Sequence, residues 1–327
     1  MEAEDGAQLC FPQFPNTSCR KPLSPWPQTL TIVFYSISLI TVALNLLIII
    51  SISHFRQLHT PTNILLLSLA VSDLLVGLVL MPGEIFRQTS CWVVGDFVCA
   101  TYILLTVIIT SASIGDMVFI SVDRYVAICD PLHYTTKVTV SRVKFCVCLC
   151  WLCSVSYSLL FVKDLPTQTD IYKTCFGVCL MYSDDNSLLA GLFVTFIIPV
   201  SVLIALYLRV FVVAVSQARA MRSHITAVTL QHSVTPKAKK SELKAARNLG
   251  VLVLVFLMCF SPFYITSWTG YNSVTLLILP FLPILFCFNS CLNPVIYAFL
   301  YPWFRKAVKL IVTLQILQPG SCETNML

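Results

Sequence analysis

Three carboxylates, a guanidinium and a cluster of amides stand inside otherwise apolar sequence. Asp73 closes the run Leu69-Ala70-Val71-Ser72-Asp73, Asp116 lies in the middle of the apolar stretch 97–128, and Asp123-Arg124-Tyr125 stands near its end. The run Asn289-Ser290-Cys291-Leu292-Asn293-Pro294-Val295-Ile296-Tyr297 adds amides and a helix-breaking proline before the aromatic, basic segment that begins at Tyr301. Charged and amide groups are costly in hydrocarbon and mark places where an ion, a proton or a neighbouring helix is held. Pro294 frees a backbone carbonyl, and Asn289, Ser290 and Asn293 can help satisfy the backbone while facing an internal polar cavity. The chemistry this set offers is exchange of partners. A guanidinium stays charged and its fork suits a carboxylate, so Arg124 can be held by Asp123 in one state and released in another. The five histidines, His54, His59, His133, His224 and His232, are scattered with none at metal-ligand spacing within a span, and no enzyme chemistry is expected.

The elements that must position these groups follow from composition. Of 327 residues 57% are hydrophobic and 11% charged, and the mean hydropathy is high, which makes the lipid bilayer the implied solvent. Seven apolar stretches are long enough to span it, at about 30–52, 63–86, 97–128, 143–162, 187–214, 244–268 and 275–300. The fifth and sixth run on into polar ends and are expected to project past the membrane. The fold class is therefore all-α and integral to the membrane: a seven-transmembrane helix bundle with a short amphipathic eighth helix. Residues 1–28 form an N-terminal segment, 29–300 the bundle, 301–314 the amphipathic helix and 315–327 a tail.

With the N-terminus outside, 16 of the 21 Lys and Arg residues fall on the cytoplasmic side, as basic residues retained there should. A multi-pass protein of the plasma membrane with an extracellular N-terminus is expected, its first span serving as the targeting signal. Six of the 15 cysteines, Cys10, Cys19, Cys91, Cys99, Cys175 and Cys179, then lie outside, where disulfides persist. Asn16-Thr17-Ser18 is a glycosylation acceptor on the same side.

Asp123-Arg124-Tyr125, Asn293-Pro294-x-x-Tyr297, Asp73, Trp151 in the fourth stretch and Pro199 in the fifth together resemble a rhodopsin-like G-protein-coupled receptor. The seventh stretch through Tyr301-x-Trp303-Phe304, and the loop Cys129-Asp130-Pro131-Leu132-His133-Tyr134-Thr135-Thr136-Lys137, resemble the trace amine-associated receptors over nearly the whole chain. The resemblance implies a bridge Cys99–Cys179 and a second, Cys19–Cys175, and leaves Cys10 and Cys91 undecided. It implies an allosteric sodium ion at Asp73, Asn45, Ser113, Asn289, Ser290 and Asn293. It makes Glu242 the residue that closes a lock on Arg124, Tyr207 and Tyr297 the tyrosines that turn inward on activation, and Pro131 and Leu132 part of the G-protein contact.

The implied ligand pocket is Thr106, Val107, Thr110, Leu192, Thr195, Phe260, Phe263, Tyr264 and Cys287. It departs from amine-binding relatives, which carry an Asp at the position of Thr106 or of Gly191. Glu84 is an acid near the mouth, free to meet a ligand or to pair with Arg87 three residues on. Asp116, which the family pattern does not require, either pairs with a polar group on a neighbouring helix or carries a proton. The function implied is a chemosensory receptor passing small-molecule binding to a heterotrimeric, stimulatory G protein and cyclic AMP, with lipid as its other partner and no nucleic acid. The competing readings are a receptor of the same fold for a non-amine ligand and a membrane transporter. Against the transporter, the chain has ten glycines and no visible repeat.

Overall fold

The computed structural model describes residues 9–20, 27–163, 175–179, 185–227, 237–269 and 281–326. The helix α1 is Gln28–His54. The second, α2, is built from Pro61–Leu75, a π-helical turn Val76–Leu80 and Met81–Thr89. Then come α3, Asp96–Cys129, and α4, Val140–Lys163. The fifth, α5, joins Asp185–Leu192, a π-helical turn Phe193–Ile197 and Ile198–Ala227. The bundle closes with α6, Lys237–Thr269, and α7, Leu282–Leu300, after which α8, Pro302–Val312, turns away by 97°.

These segments are helical because hydrocarbon offers the backbone no partner but itself. Five of the helices have membrane-spanning length and apolarity; Gly250–Thr266 within α6 and the α7–α8 pair supply the remaining apolar segments. The seventh expected span begins at 275, but 270–280 lie outside the described residues. Local chemistry sets the ends. Thr60 accepts from the Asn63 amide at 3.3 Å and Pro61 fills the first helical position of α2, where its missing N–H costs nothing. At 34 residues α3 is roughly 50 Å long, more than the hydrocarbon thickness, so its C-terminal end reaches the loops.

The central helix is α3, which packs on α2, α4, α5 and α6; α1 and α7 lie against α2, and α6 joins α5 to α7. Its buried face carries Ser113, Asp116 and Asp123, so the core around it is apolar packing interrupted by a polar seam. On α8, Trp303, Phe304 and Ala307 are buried while Arg305, Lys306 and Lys309 are exposed, the pattern of a helix lying along a membrane surface. The segment after it folds back under the loop between α1 and α2. Ser321 Oγ lies 2.9 Å from His54 Nε2, the Met326 amide donates to Gln57 Oε1 at 2.9 Å, and the Met326 side chain is buried in the main core.

Candidate functional site

At one end of the bundle, three disulfides tie the N-terminal segment and the loop between α4 and α5 to the helix ends: Cys10–Cys91, Cys19–Cys175 and Cys99–Cys179. The first is the pair that composition and resemblance left open. Backbone bonds thread between them, from Cys19 N to Phe176 O at 2.8 Å, Phe176 N to Thr17 O at 2.6 Å and Trp92 N to Gly177 O at 2.8 Å. Gly177 has φ +111°, and a Cβ there would meet Cys10, so only glycine lets the two segments cross. Asn16 sits on an exposed turn of the N-terminal segment.

Below this roof, Thr106, Val107, Thr110, Leu192, Thr195 and Tyr264 are half-buried, and Phe263 is exposed. Thr195 Oγ1 lies 2.8 Å from the Tyr264 hydroxyl, and Phe196 stacks on the Tyr264 ring, so α5 and α6 are bridged among the residues expected to line a pocket. Thr106 Oγ1 donates to its own helix, to Tyr102 O at 2.8 Å. The floor is an aromatic column: Phe260 stacks on Phe256 with centroids 4.4 Å apart and touches Phe286 at 4.4 Å. Cys287 is buried among Phe34, Val76, Leu80, Met81, Ile85 and Ile109, on the side of the bundle where α1 and α2 meet α7. Glu84, 8% exposed, accepts from Arg87 Nε at 2.9 Å, Arg87 Nη2 at 2.7 Å and Gln88 Nε2 at 2.8 Å. The structural pairing therefore claims this carboxylate. Two further acids, Asp184 and Asp185, stand in the sequence at the head of α5; Asp184 and the side chain of Asp185 lie outside the described residues.

At mid-bundle, Asn293 Nδ2 donates to Asp73 Oδ2 at 2.9 Å, and Ser290 also bears on that carboxylate. Asn45 Nδ2 donates to Thr41 O at 2.9 Å and to Ser290 O at 3.1 Å. Asp73, Asn45, Ser113, Asn289, Ser290 and Asn293 are all buried. Within the set, Asp73 Oδ1, Asn45 Oδ1, Asn293 Oδ1 and both polar atoms of Asn289 have no hydrogen-bond partner. Orphaned oxygens gathered about one acid are the donor set that a hard cation takes up. Among the described residues no group of three His, Cys, Asp or Glu is placed to hold a metal ion.

At the opposite end of the bundle, Arg124 Nε donates to Asp123 Oδ2 at 2.9 Å and Nη2 donates to Thr62 Oγ1. Asp123 also accepts from Thr62 Oγ1 at 2.9 Å and from the Tyr134 hydroxyl at 2.7 Å. Burial pushes the Tyr134 phenol above its ordinary value, which keeps it a donor. Glu242 is on α6, and its side chain lies outside the described residues. Tyr125 is half-buried on the same turn. Tyr207 packs against Gly250, where a Cβ would come within 2.8 Å of its ring, while the Tyr297 hydroxyl is buried without a partner. Pro131 opens the helical turn Pro131–His133, from which Leu132 projects 88% exposed. Asp130 is bound by Lys137 Nζ and His133 Nδ1, both at 2.7 Å, and these bonds hold its carboxyl at about 2.

Residues 44–297 match the family model of the 7 transmembrane receptor (rhodopsin family). Trace amine-associated receptor 13c of Danio rerio is 37% identical, the alignment covering 98% of this chain and 97% of the relative. Trace amine-associated receptor 7e of Mus musculus is 37% identical over 98% and 92%, and trace amine-associated receptor 9 of Mus musculus 36% over 99% and 96%. The chain belongs to the trace amine-associated receptors of the rhodopsin family.

This receptor is a multi-pass membrane protein and not an enzyme. Sequence reasoning missed Thr62, Tyr134 and Gln88. Thr62 and Tyr134 flank the Asp123 motif only in space; Gln88, four residues after Glu84 on one helix, was legible as an i,i+4 donor.

Proposed function

We propose that this receptor senses small neutral or weakly polar molecules and passes their binding to a stimulatory G protein and cyclic AMP, in a chemosensory, olfactory setting at the plasma membrane. The observation that carries the ligand class is the engagement of Glu84. Its oxygens take three hydrogen bonds from Arg87 and Gln88, while Thr106 and Gly191 occupy the positions where amine-binding relatives carry an acid. An ammonium loses hydration on entering an apolar pocket and needs a carboxylate to replace it. The hydroxyl pair Thr195 and Tyr264 offers a neutral ligand acceptor oxygens instead, because Thr195 Oγ1 donates to Gly191 O at 2.6 Å and the Tyr264 hydroxyl donates to Thr195.

In this reading Arg124 with Asp123 and Thr62 is the resting lock. Exposed Leu132 beside Pro131 belongs to the coupling surface, and Tyr207, Tyr297 and Glu242 act when α6 moves outward. Asp73 with Asn45, Ser113, Asn289, Ser290 and Asn293 fits a sodium ion, which would neutralise the acid and favour the resting packing; a salt-dependent gain in thermal stability, lost in Asp73→Asn, tests it. Asn16 carries glycan on an extracellular N-terminus. The test of coupling is expression with a stimulatory G protein. Cyclic AMP should rise, constitutively or with ligand, and Arg124→Ala should abolish the rise at parental surface level; equal signalling in Arg124→Ala rejects the assignment.

A further inference from the structure

Asp116 is the buried acid that neither the pocket nor the lock uses. Its side chain is 0% exposed, at mid-height of α3. Three helices meet through it in a chain of fixed direction. The Trp151 indole N–H on α4 donates to Ser68 Oγ on α2 at 3.0 Å, and Ser68 Oγ donates to Asp116 Oδ2 at 2.7 Å. The indole can only donate, so it occupies the Ser68 oxygen and commits the hydroxyl proton to Asp116. The other oxygen, Asp116 Oδ1, is enclosed and has no hydrogen-bond partner.

Among the described residues, the titratable groups that face Asp116 are Asp73 on α2, Cys150 on α4 and Tyr297 on α7. None of them is a cation. An ionised Asp116 would therefore be a charge in the membrane interior with one hydrogen bond, no counter-ion and a second acid nearby, the arrangement that proteins avoid by neutralising the group. We propose that Asp116 is a proton-binding site: the receptor carries it as the neutral carboxylic acid, clasped through Ser68 to Trp151, so that α2, α3 and α4 are joined without placing a charge between them. A shift of α3 against α2 that opens the Ser68 bond changes the affinity for this proton, and by linkage the proton biases that shift. The geometry at Asp116 is independent of which ligand the receptor takes.

Infrared spectroscopy of the full-length receptor in lipid nanodiscs tests it. The parent should show the C=O stretch of a protonated carboxyl, retained in Asp73→Asn and lost in Asp116→Asn. In Ser68→Ala, where the acid stays but its hydroxyl donor goes, the same band should shift. If Asp116→Asn leaves that region of the spectrum unchanged and instead removes an ionised carboxylate band, the acid is charged and the proposal is wrong. Should Asp116→Asn fail to fold, the Ser68→Ala spectrum decides alone: a shifted band supports the proton site, and an unshifted one overturns it.

Discussion

Arg87 closes on Glu84 one turn below it on α2 through two hydrogen bonds, Nε to Oε2 at 2.9 Å and Nη2 to Oε1 at 2.7 Å. The carboxylate is buried and the guanidinium partly so, which sets the pair between surface bridges of little worth and buried ones whose disruption strands a charge. Glu84→Gln should therefore cost about 1–3 kcal/mol by leaving Arg87 unpaired. Glu84→Gln combined with Arg87→Gln should recover part of that loss, because the stranded charge is gone. Thermal melting of the purified receptor checks this, and strictly additive losses would show the bond to be idle.

Thr62 joins α2 to both members of the Asp123–Arg124 pair. If this contact restrains the resting state, Thr62→Ala should raise basal cyclic AMP several-fold at equal surface level, since about 1 kcal/mol is roughly a five-fold change in a two-state ratio. Unchanged basal signalling would mean that Asp123 and Tyr134 suffice.

The three bridges should not be equivalent. Cys99–Cys179 anchors α3 to the loop over the pocket, and Cys99→Ser should lose about 2–5 kcal/mol and most of the ligand response. Cys10–Cys91 restrains a segment that Cys19–Cys175 already holds, so Cys10→Ser should leave the response nearly intact. Surface labelling with a cyclic AMP readout separates the two, and an equal loss in both would contradict the ranking.

The loop at Asp130 should be insensitive to pH over the physiological range. Hydrogen bonds from Lys137 and His133 hold this carboxyl at about 2, below the ordinary value of about 3.9. A depressed acid stabilises above its unfolded value and loses that contribution as pH falls towards its folded one. Amide exchange over residues 130–137 should thus keep its protection factors down to about pH 5 and lose protection only below about pH 4. Asp130→Asn should exchange faster above about pH 4 and converge on the parent as the pH falls further. Protection in the parent that is lost between pH 8 and 6 would contradict this.

Much of the fold was legible because hydrocarbon enforces one pattern: apolar runs of spanning length, basic residues on one side and polar residues kept for a purpose. Asp73 stood out as a costly buried acid, its grouping with Asn293 came from the family resemblance, and the structure places the two 2.9 Å apart. What sequence could not give was contact across helices. Ser68 and Trp151 carry no mark that they meet Asp116, since the partner depends on how α2 and α4 rotate. Connectivity of six cysteines is likewise undetermined by spacing, and Cys10–Cys91 became visible only in the folded chain. The π-helical turns at Val76–Leu80 and Phe193–Ile197 leave no signal in a pattern that is apolar on all faces. The return of the segment ending in Met326 depends on His54 and Gln57 meeting residues more than 260 positions away.

The central claim is that, among the described residues, the pocket offers no free carboxylate to an ammonium. A dose–response panel of primary amines and neutral analogues of matched shape, read by cyclic AMP on the parent, Glu84→Gln and Thr106→Asp, tests it most directly. Neutral compounds should outperform their amine counterparts on the parent, and Thr106→Asp should create an amine response that the parent lacks. Potent amine activation of the parent, surviving in Glu84→Gln, would contradict the account.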